Sequence, residues 1–215
     1  DNLGVERVKK LIESYIPGKK IPPVHNECRM CSSRDIKLVL NEVDRRVFRC
    51  RNCGVNFMEK TGGKTPDSAY NSAYFTTLYK KQYNRTYLED RQNIEKFAVS
   101  RLEEIKKICA SRPPCETGGK KPAGPKRLLD CGCAYGFFLD IAAKNGFDAV
   151  GIEISKTGAD FARNKLGLMV INSPVSKTIF PRESFDVVTS WYMIEHLRDL
   201  PAVLPKILDW IAPGG

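Results

Sequence analysis

The stretch that decides the fold is residues 130–138, which reads DCGCAYGFF. It follows an apolar run, RLLDC over residues 127–131, that predicts a buried strand. Gly132 and Gly136 stand where this strand must turn sharply into a helix. A glycine at such a turn lets the backbone approach a ligand, or lets the helix start close to the sheet. The stretch therefore predicts a strand–turn–helix unit with a ligand-binding turn.

The segments downstream alternate in the same way. The predicted strands cover residues 127–131, 149–153, 169–172 and 184–190, and the predicted helices cover residues 136–145, 156–166 and 200–211. This alternation predicts an α/β protein with a Rossmann-like, doubly wound parallel sheet.

Two acidic residues indicate what the turn binds. Glu153 ends the second predicted strand, 17 residues after Gly136, where a carboxylate can accept both hydroxyls of a ribose. Asp130 precedes the turn, and the pattern Gly132-x-Ala134-x-Gly136 differs from the Gly-x-Gly-x-x-Gly of dinucleotide sites. An acidic residue here suits an ammonium group and suits pyrophosphate poorly. These features predict an adenosine cofactor with an amino acid head.

At these residues the chain resembles the class I S-adenosylmethionine-dependent methyltransferases, over about residues 85–215. The resemblance rests on residues 130–136, Glu153, FDVV at 185–188 followed by EHL at 195–197, and APGG at 212–215. Ala134 stands where the family usually has its middle glycine. The resemblance implies that the cofactor-binding residues are Asp130, Gly132, Ala134, Gly136 and Glu153.

The resemblance also places the loop after the fourth strand beside the transferred methyl group. It implies that Trp191 and Tyr192 lie on the acceptor side. His196 is a candidate general base, since imidazole titrates near neutrality; alternatively, Glu195 and His196 cap the following helix. The family sheet has seven strands and this sequence stops before the fifth, so we expect a fragment of a longer protein.

Four of the eight cysteines form two knuckles, Cys28-x2-Cys31 and Cys50-x2-Cys53. Two knuckles at this spacing can present four thiolates to one tetrahedral zinc ion, and such a closed shell is structural. Two short strands are predicted between them, over 37–40 and 46–49. Residues 24–60 therefore read as a zinc ribbon, in which His25 is interpreted as a loop residue.

The predicted organisation has four parts. Residues 1–23 are a lead-in with a helix over 4–15, residues 24–60 are the ribbon, residues 61–126 are a helical lid and linker, and residues 127–215 are a partial methyltransferase core. The third part begins with a linker over 61–68 and ends with a Pro/Gly/Lys loop over 111–126. Tyrosines crowd residues 69–88, which predicts a lid that stacks on a flat ligand, an amphipathic helix packed on the core, or both. A long helix is predicted over 89–110.

The net charge is +10, and it is unevenly distributed. Residues 1–126 hold 26 Lys and Arg against 15 Asp and Glu, whereas residues 127–215 hold 9 against 10. The basic N-terminal part suggests an anionic partner or ordinary solubilising charge. No apolar run has the ~18 residues of a membrane span, and no signal peptide is evident, so we expect a cytoplasmic protein.

The sequence is compatible with three functions: methyl transfer to a small acceptor, methyl transfer to RNA, and a role without catalysis. The ribbon with its Tyr-rich helix resembles bacterial methyltransferases that act on small or glycan-linked metabolites, such as nucleotide-linked sugars. It also resembles the zinc module of certain ribosomal RNA guanine methyltransferases, in which the basic surface would grip RNA. The third function is that of a non-catalytic interaction protein built on a methyltransferase-like domain. The sequence leaves the oligomeric state open.

Overall fold

The computed structural model describes residues 27–28, 30–42, 46–58, 70–111, 126–197 and 200–215. Several predictions lie outside these residues, namely the helix over 4–15, the linker over 61–68, most of the loop over 111–126, and His25. The chain divides into two compact units, Asp1–Gly62 and Gly63–Gly215. The four predicted domain boundaries stay predictions.

The first unit contains a three-stranded antiparallel sheet. Its strands are β1 (Ile36–Asn41), β2 (Arg46–Cys50) and β3 (Asn56–Met58), in the order β1-β2-β3. The first two match the predicted pair, and β3 is a strand that the sequence pattern did not reveal. Phe48 of β2 lies opposite Phe57 of β3, and their rings stack with centroids 5.9 Å apart.

The second unit begins with helices. A π-helical turn (Tyr74–Leu78) leads into α1 (Tyr79–Tyr83), and α2 spans Arg91–Ser111. The predicted Tyr-rich helix is thus broken: Asn84 adopts a left-handed conformation, φ 57°, that ends α1. Asparagine tolerates this conformation better than other non-glycine residues, so the break is local and sequence-encoded.

The elements that follow form the α/β core. They are β4 (Arg127–Cys131), α3 (Phe137–Lys144), β5 (Asp148–Glu153), α4 (Lys156–Leu166), β6 (Met169–Asn172), β7 (Val187–Thr189), a one-turn 3-10 helix (Ile194–His196) and α5 (Leu200–Asp209). The four strands pair in parallel in the order β6-β5-β4-β7. The prediction of a doubly wound α/β sheet is confirmed.

Successive residues of β4 serve the two faces of this sheet. Leu128 packs with residues of α2, α3 and α4, including Leu102 and Leu139. Leu129 packs on the other face with Val203 and Ile207 of α5. Both leucines have no exposed surface, as expected for a parallel strand covered by helices on both sides.

The fourth strand of this sheet is shorter than predicted. The sequence predicts a strand over 184–190, but β7 covers Val187–Thr189. Asp186 is held instead at the start of β4, where its carboxylate accepts a 2.8 Å hydrogen bond from the Arg127 amide. Phe185 forms a single parallel bridge with Ile211.

No helix among the residues that the structure describes is both long enough and apolar enough to cross a membrane.

Candidate functional site

The carboxyl ends of β4, β5 and β7 meet at one edge of the sheet, where ligands bind in open α/β folds. The turn after β4 has three residues with positive φ: Gly132 (82°), Ala134 (53°) and Gly136 (80°). A Cβ atom on Gly132 would lie 2.7 Å from the Met193 Cγ atom, so this position leaves no room for a side chain. Ala134 takes a conformation that favours glycine, which costs about 1 kcal/mol at this position.

Glu153 lies at the end of β5 and holds this turn in place. Its two carboxylate oxygens each accept a 2.7 Å hydrogen bond, one from the Ala134 amide and one from the Ser155 amide. Burial raises the pKa of Glu153, and these backbone donors oppose that rise. Each carboxylate oxygen has a second lone pair. Glu153 can therefore order the turn and still accept hydroxyl donors from a ribose.

Asp130 is buried beneath the same turn, with 2% of its surface exposed. Its carboxylate accepts a 2.7 Å hydrogen bond from the Thr189 hydroxyl, which joins β4 to β7. Burial raises the pKa of Asp130 to about 7; the Thr189 hydrogen bond and the Arg101 charge lower it, and the Glu153 charge raises it. An ammonium group at this place would stabilise the ionised carboxylate.

The residues after β7 carry two unsatisfied polar atoms. Ser190 Oγ and Trp191 Nε1 are buried, and neither has a hydrogen-bond partner among the residues that the structure describes. Buried polar atoms without partners cost free energy and call for a ligand or water. The Arg101 guanidinium carbon lies 4.3 Å from the centroid of the Trp191 ring. Cationic Arg101 and acidic Asp130 together fit a zwitterionic amino acid head.

Arg101 was not among the sequence-predicted site residues. It lies on α2 between the buried residues Ala98 and Leu102. A basic residue in the middle of a helix belongs to no sequence motif that would indicate ligand binding. Only the packing of α2 against α3 places its guanidinium beside the loop after β7. No sequence signal could have identified it.

The two predicted acceptor-side residues differ in environment. Trp191 packs against the core on one face of the sheet, with its ring 5.4 Å from that of Phe138. Tyr192 has 77% of its surface exposed. His196 is also exposed, on the 3-10 helix. The roles predicted for these three residues stay predictions.

The Tyr-rich segment packs on the turn after β4. Phe75, with 2% of its surface exposed, stacks on Tyr135 at a centroid distance of 4.3 Å. A Cβ atom on Gly158 would lie 3.1 Å from Phe75 and 3.0 Å from Glu153, so the segment reaches the end of β5. It is both packed on the core and adjacent to the candidate site.

The four predicted zinc ligands come together in the first unit. The sulfur atoms of Cys28, Cys31, Cys50 and Cys53 all lie within 4.8 Å of one another. Two pairs, Cys28–Cys53 and Cys31–Cys50, are 3.6 Å apart. Thiolates at the usual Zn–S distance of about 2.3 Å in a tetrahedron lie about 3.8 Å apart. The donor set and its spacing therefore fit zinc.

Hydrogen bonds around these sulfur atoms also suit thiolates. The amides of Met30 and Cys53 lie 3.3 Å from Cys28 Sγ and 3.4 Å from Cys50 Sγ, respectively. The Asn52 side-chain amide, with a backbone donor at Ser33, lowers the pKa of Cys31 to about 6. Cys53 shifts the other way: the Val55 amide lowers its pKa, but burial and hydrogen bonds with the other three cysteines raise it to about 12. The donors at Cys28, Cys31 and Cys50 favour the charged form that binds a metal.

Comparison with known proteins relates most of the second unit to a known protein family. A family model described as a methyltransferase domain matches residues 100–215. The ubiquinone biosynthesis O-methyltransferase of Brucella anthropi is 30% identical over 130 residues, which cover 57% of this chain and 51% of that protein. Its counterpart in Ralstonia nicotianae is 32% identical over 100 residues, covering 44% and 42%.

A solved structure of a SAM-dependent methyltransferase from Archaeoglobus fulgidus is 20% identical, covers 63% of this chain and 53% of that one, and superposes with a TM-score of 0.46. The chain spans about half the length of the curated relatives that it matches.

Proposed function

The chain belongs to the methyltransferase-domain family, and from that premise we propose that it transfers the methyl group of S-adenosylmethionine to a small or glycan-linked, anionic acceptor. The ribbon would bind one structural zinc ion. The transfer reaction and the zinc site are both proposals for a chain that spans about half the length of its curated relatives.

One observation carries the proposal: complementary groups from neighbouring parallel strands converge at one sheet edge. Asp130 and the turn after it come from β4, and Glu153 comes from β5. Ser190 and Trp191 follow β7, and each has a buried polar atom without a hydrogen-bond partner among the described residues. Ligands of open α/β sheets bind where the strands end in this way. The groups match a ribose and an amino acid head better than a pyrophosphate.

S-adenosylmethionine, when bound, supplies a methyl group activated by its sulfonium. The work left to this chain is mainly positioning, because methyl transfer is a direct displacement. Asp130 would hold the ammonium, Arg101 beside Trp191 would hold the carboxylate, and Glu153 would accept the ribose hydroxyls. His196 would receive a proton from the acceptor where the acceptor must lose one.

The acceptor class is supported by two points. The curated relatives named above are O-methyltransferases of ubiquinone biosynthesis, whose printed names imply a small acceptor. The Tyr70 ring also contacts the His196 ring, the Tyr74 ring contacts that of Tyr70, and Tyr192 is exposed; phenol rings of this kind can pack on a flat or cyclic acceptor.

The test is calorimetric titration of the zinc-loaded protein with S-adenosylhomocysteine. We expect binding in the micromolar range that Glu153→Ala abolishes and Asp160→Ala retains. Asp160 is a carboxylate on α4 that pairs with Lys156, so it controls for the loss of one negative charge. Thermal unfolding of each variant separates lost binding from lost folding. A folded wild-type protein that fails to bind would favour the non-catalytic interaction protein.

A second candidate, an RNA methyltransferase, is favoured by one feature of the ribbon. Lys37 of β1 lies directly opposite Arg49 of β2, and both are exposed. Like charges directly opposite each other destabilise a strand pair, and a bound phosphate would relieve that repulsion. RNA binding that weakens steeply with salt, and that Lys37→Ala and Arg49→Ala each reduce, would support this candidate. No binding at moderate salt would support the small acceptor.

A further inference from the structure

The candidate base His196 has little to hold its side chain. It ends the one-turn 3-10 helix Ile194–His196, whose N-cap residue Met193 makes no side-chain capping hydrogen bond, and the imidazole is exposed. Among the residues that the structure describes, the directional contact of this imidazole is with the ring of Tyr70. The two rings meet edge to face, with centroids 5.9 Å apart and planes at 70°.

Tyr70 is in turn linked to the turn after β4 by a chain of ring contacts. Tyr70 meets Tyr74 at 5.0 Å, and Tyr74 meets Phe75 at 5.0 Å. Phe75 is buried and stacks on Tyr135, which lies between Ala134 and Gly136 in the cofactor turn. Aromatic pairs in such geometries attract each other beyond the effect of the area they bury. The rings therefore form a continuous path from the cofactor turn to His196.

We propose that Tyr70 is a positioning residue for His196, whose imidazole its ring holds in a fixed orientation at the acceptor side of the site. The inference rests on the proposed function where it takes His196 as the proton acceptor. Burial raises the pKa of Tyr70 to about 12, and the charges of Glu195 and Glu153 add to that rise, as does Tyr74. The phenol is thus neutral, and the ring rather than a charge makes the contact.

The test is a proton–carbon NMR spectrum of the histidine side chains. The sequence has two histidines, His25 and His196, so a single His25→Gln variant assigns both signals. The Tyr70 ring current shields protons over the ring face and deshields protons near the ring edge, so Tyr70→Ala is expected to shift the His196 Hε1 resonance. Tyr70→Phe keeps the ring and is expected to restore the wild-type position. Tyr83→Ala is the matched control, since Tyr83 is an exposed tyrosine of the same segment that contacts Tyr79.

An unchanged His196 resonance in Tyr70→Ala would overturn the inference. So would a Tyr70→Phe spectrum that follows Tyr70→Ala, because the hydroxyl would then be responsible. If Tyr70→Ala fails to unfold cooperatively, Tyr70→Leu takes its place with the same expectations.

Titration of the same samples with S-adenosylhomocysteine keeps the two proposals apart. A wild-type protein that does not bind overturns the proposed function, whereas the NMR result still decides whether Tyr70 holds His196.

Discussion

The two units of this chain depend on different physical interactions. Among the described residues of the first unit, the buried side chains are two thiols, Cys28 and Cys50, whereas Leu38, Val39 and Leu40 are 39–48% exposed. The second unit buries apolar side chains from the helices and strands on both faces of its sheet. So little buried apolar surface among the described residues is what a metal-stabilised module would show, whereas the second unit has an apolar core. Each unit should therefore be sensitive to a different change.

The largest expected effect is that of removing metal from the first unit. Structural zinc contributes about 10–16 kcal/mol to the folding of small zinc domains at neutral pH. We expect Cys28→Ser, or a strong chelator, to make the ribbon sensitive to protease while S-adenosylhomocysteine binding persists. Limited proteolysis, a colorimetric zinc assay and calorimetry would measure the three effects.

Cys109→Ser is the control for that experiment, because Cys109 is a partly buried thiol of the second unit outside the four-cysteine cluster. If metal removal also abolished cofactor binding, the two units would not be energetically separate.

The second effect compares one leucine from each unit. Leu129 has no exposed surface, and Leu129→Ala should lower the free energy of unfolding of the second unit by about 2–5 kcal/mol through lost burial and a cavity. Leu38 is 42% exposed, and Leu38→Ala should cost under about 1 kcal/mol. Denaturant unfolding of both variants checks this difference, and equal losses would contradict the comparison.

The third effect concerns two neighbouring turn residues of the second unit. Gly132→Ala places a methyl group against Met193 at φ 82°, and we expect it to cost about 1–3 kcal/mol and to weaken S-adenosylhomocysteine binding. Ala134→Gly removes a left-handed alanine and should stabilise the protein by up to about 1 kcal/mol with binding retained. Thermal unfolding and calorimetry would measure both. A destabilising Ala134→Gly would show that the methyl group of Ala134 contributes to packing.

The smallest effect is the pH dependence of Asp130. Its pKa of about 7 in the native state exceeds the value of about 3.9 in an unfolded chain, so stability falls as pH rises between these values. An ammonium ligand prefers the ionised carboxylate. Affinity for S-adenosylhomocysteine should therefore drop about tenfold per pH unit below 7 and level off above it.

Calorimetry between pH 6 and 8 measures this slope, and Asp130→Asn should both weaken binding and flatten the pH dependence. A wild-type affinity that is constant over this range would contradict the assignment of the ammonium to Asp130.

Local patterns in the sequence were enough to predict the α/β fold and the residues of two candidate sites. The alternation of apolar runs and helical periods predicted the α/β core, because a parallel sheet covered on both faces requires continuous apolar strands. The glycines of the turn after β4, with Asp130 of β4 and Glu153 of β5, predicted the candidate cofactor site, and that assignment stays a prediction. Two Cys-x2-Cys knuckles predicted a cluster of four thiols, because that spacing brings both sulfur atoms of a knuckle to one point.

Tertiary structure decided what depends on contacts between distant segments. Arg101 and Trp191 are 90 positions apart, and only the packing of α2 brings them together. β7 covers Val187–Thr189, and Asp186 just before it accepts a hydrogen bond from the amide of Arg127, 59 positions away. The Tyr70 ring contacts the His196 ring directly, and a chain of rings links Tyr70 to the turn after β4; no sequence periodicity encodes these contacts. A sequence pattern reports the local backbone and the face that a side chain occupies, whereas a side chain's partner across the fold is set by how the elements pack.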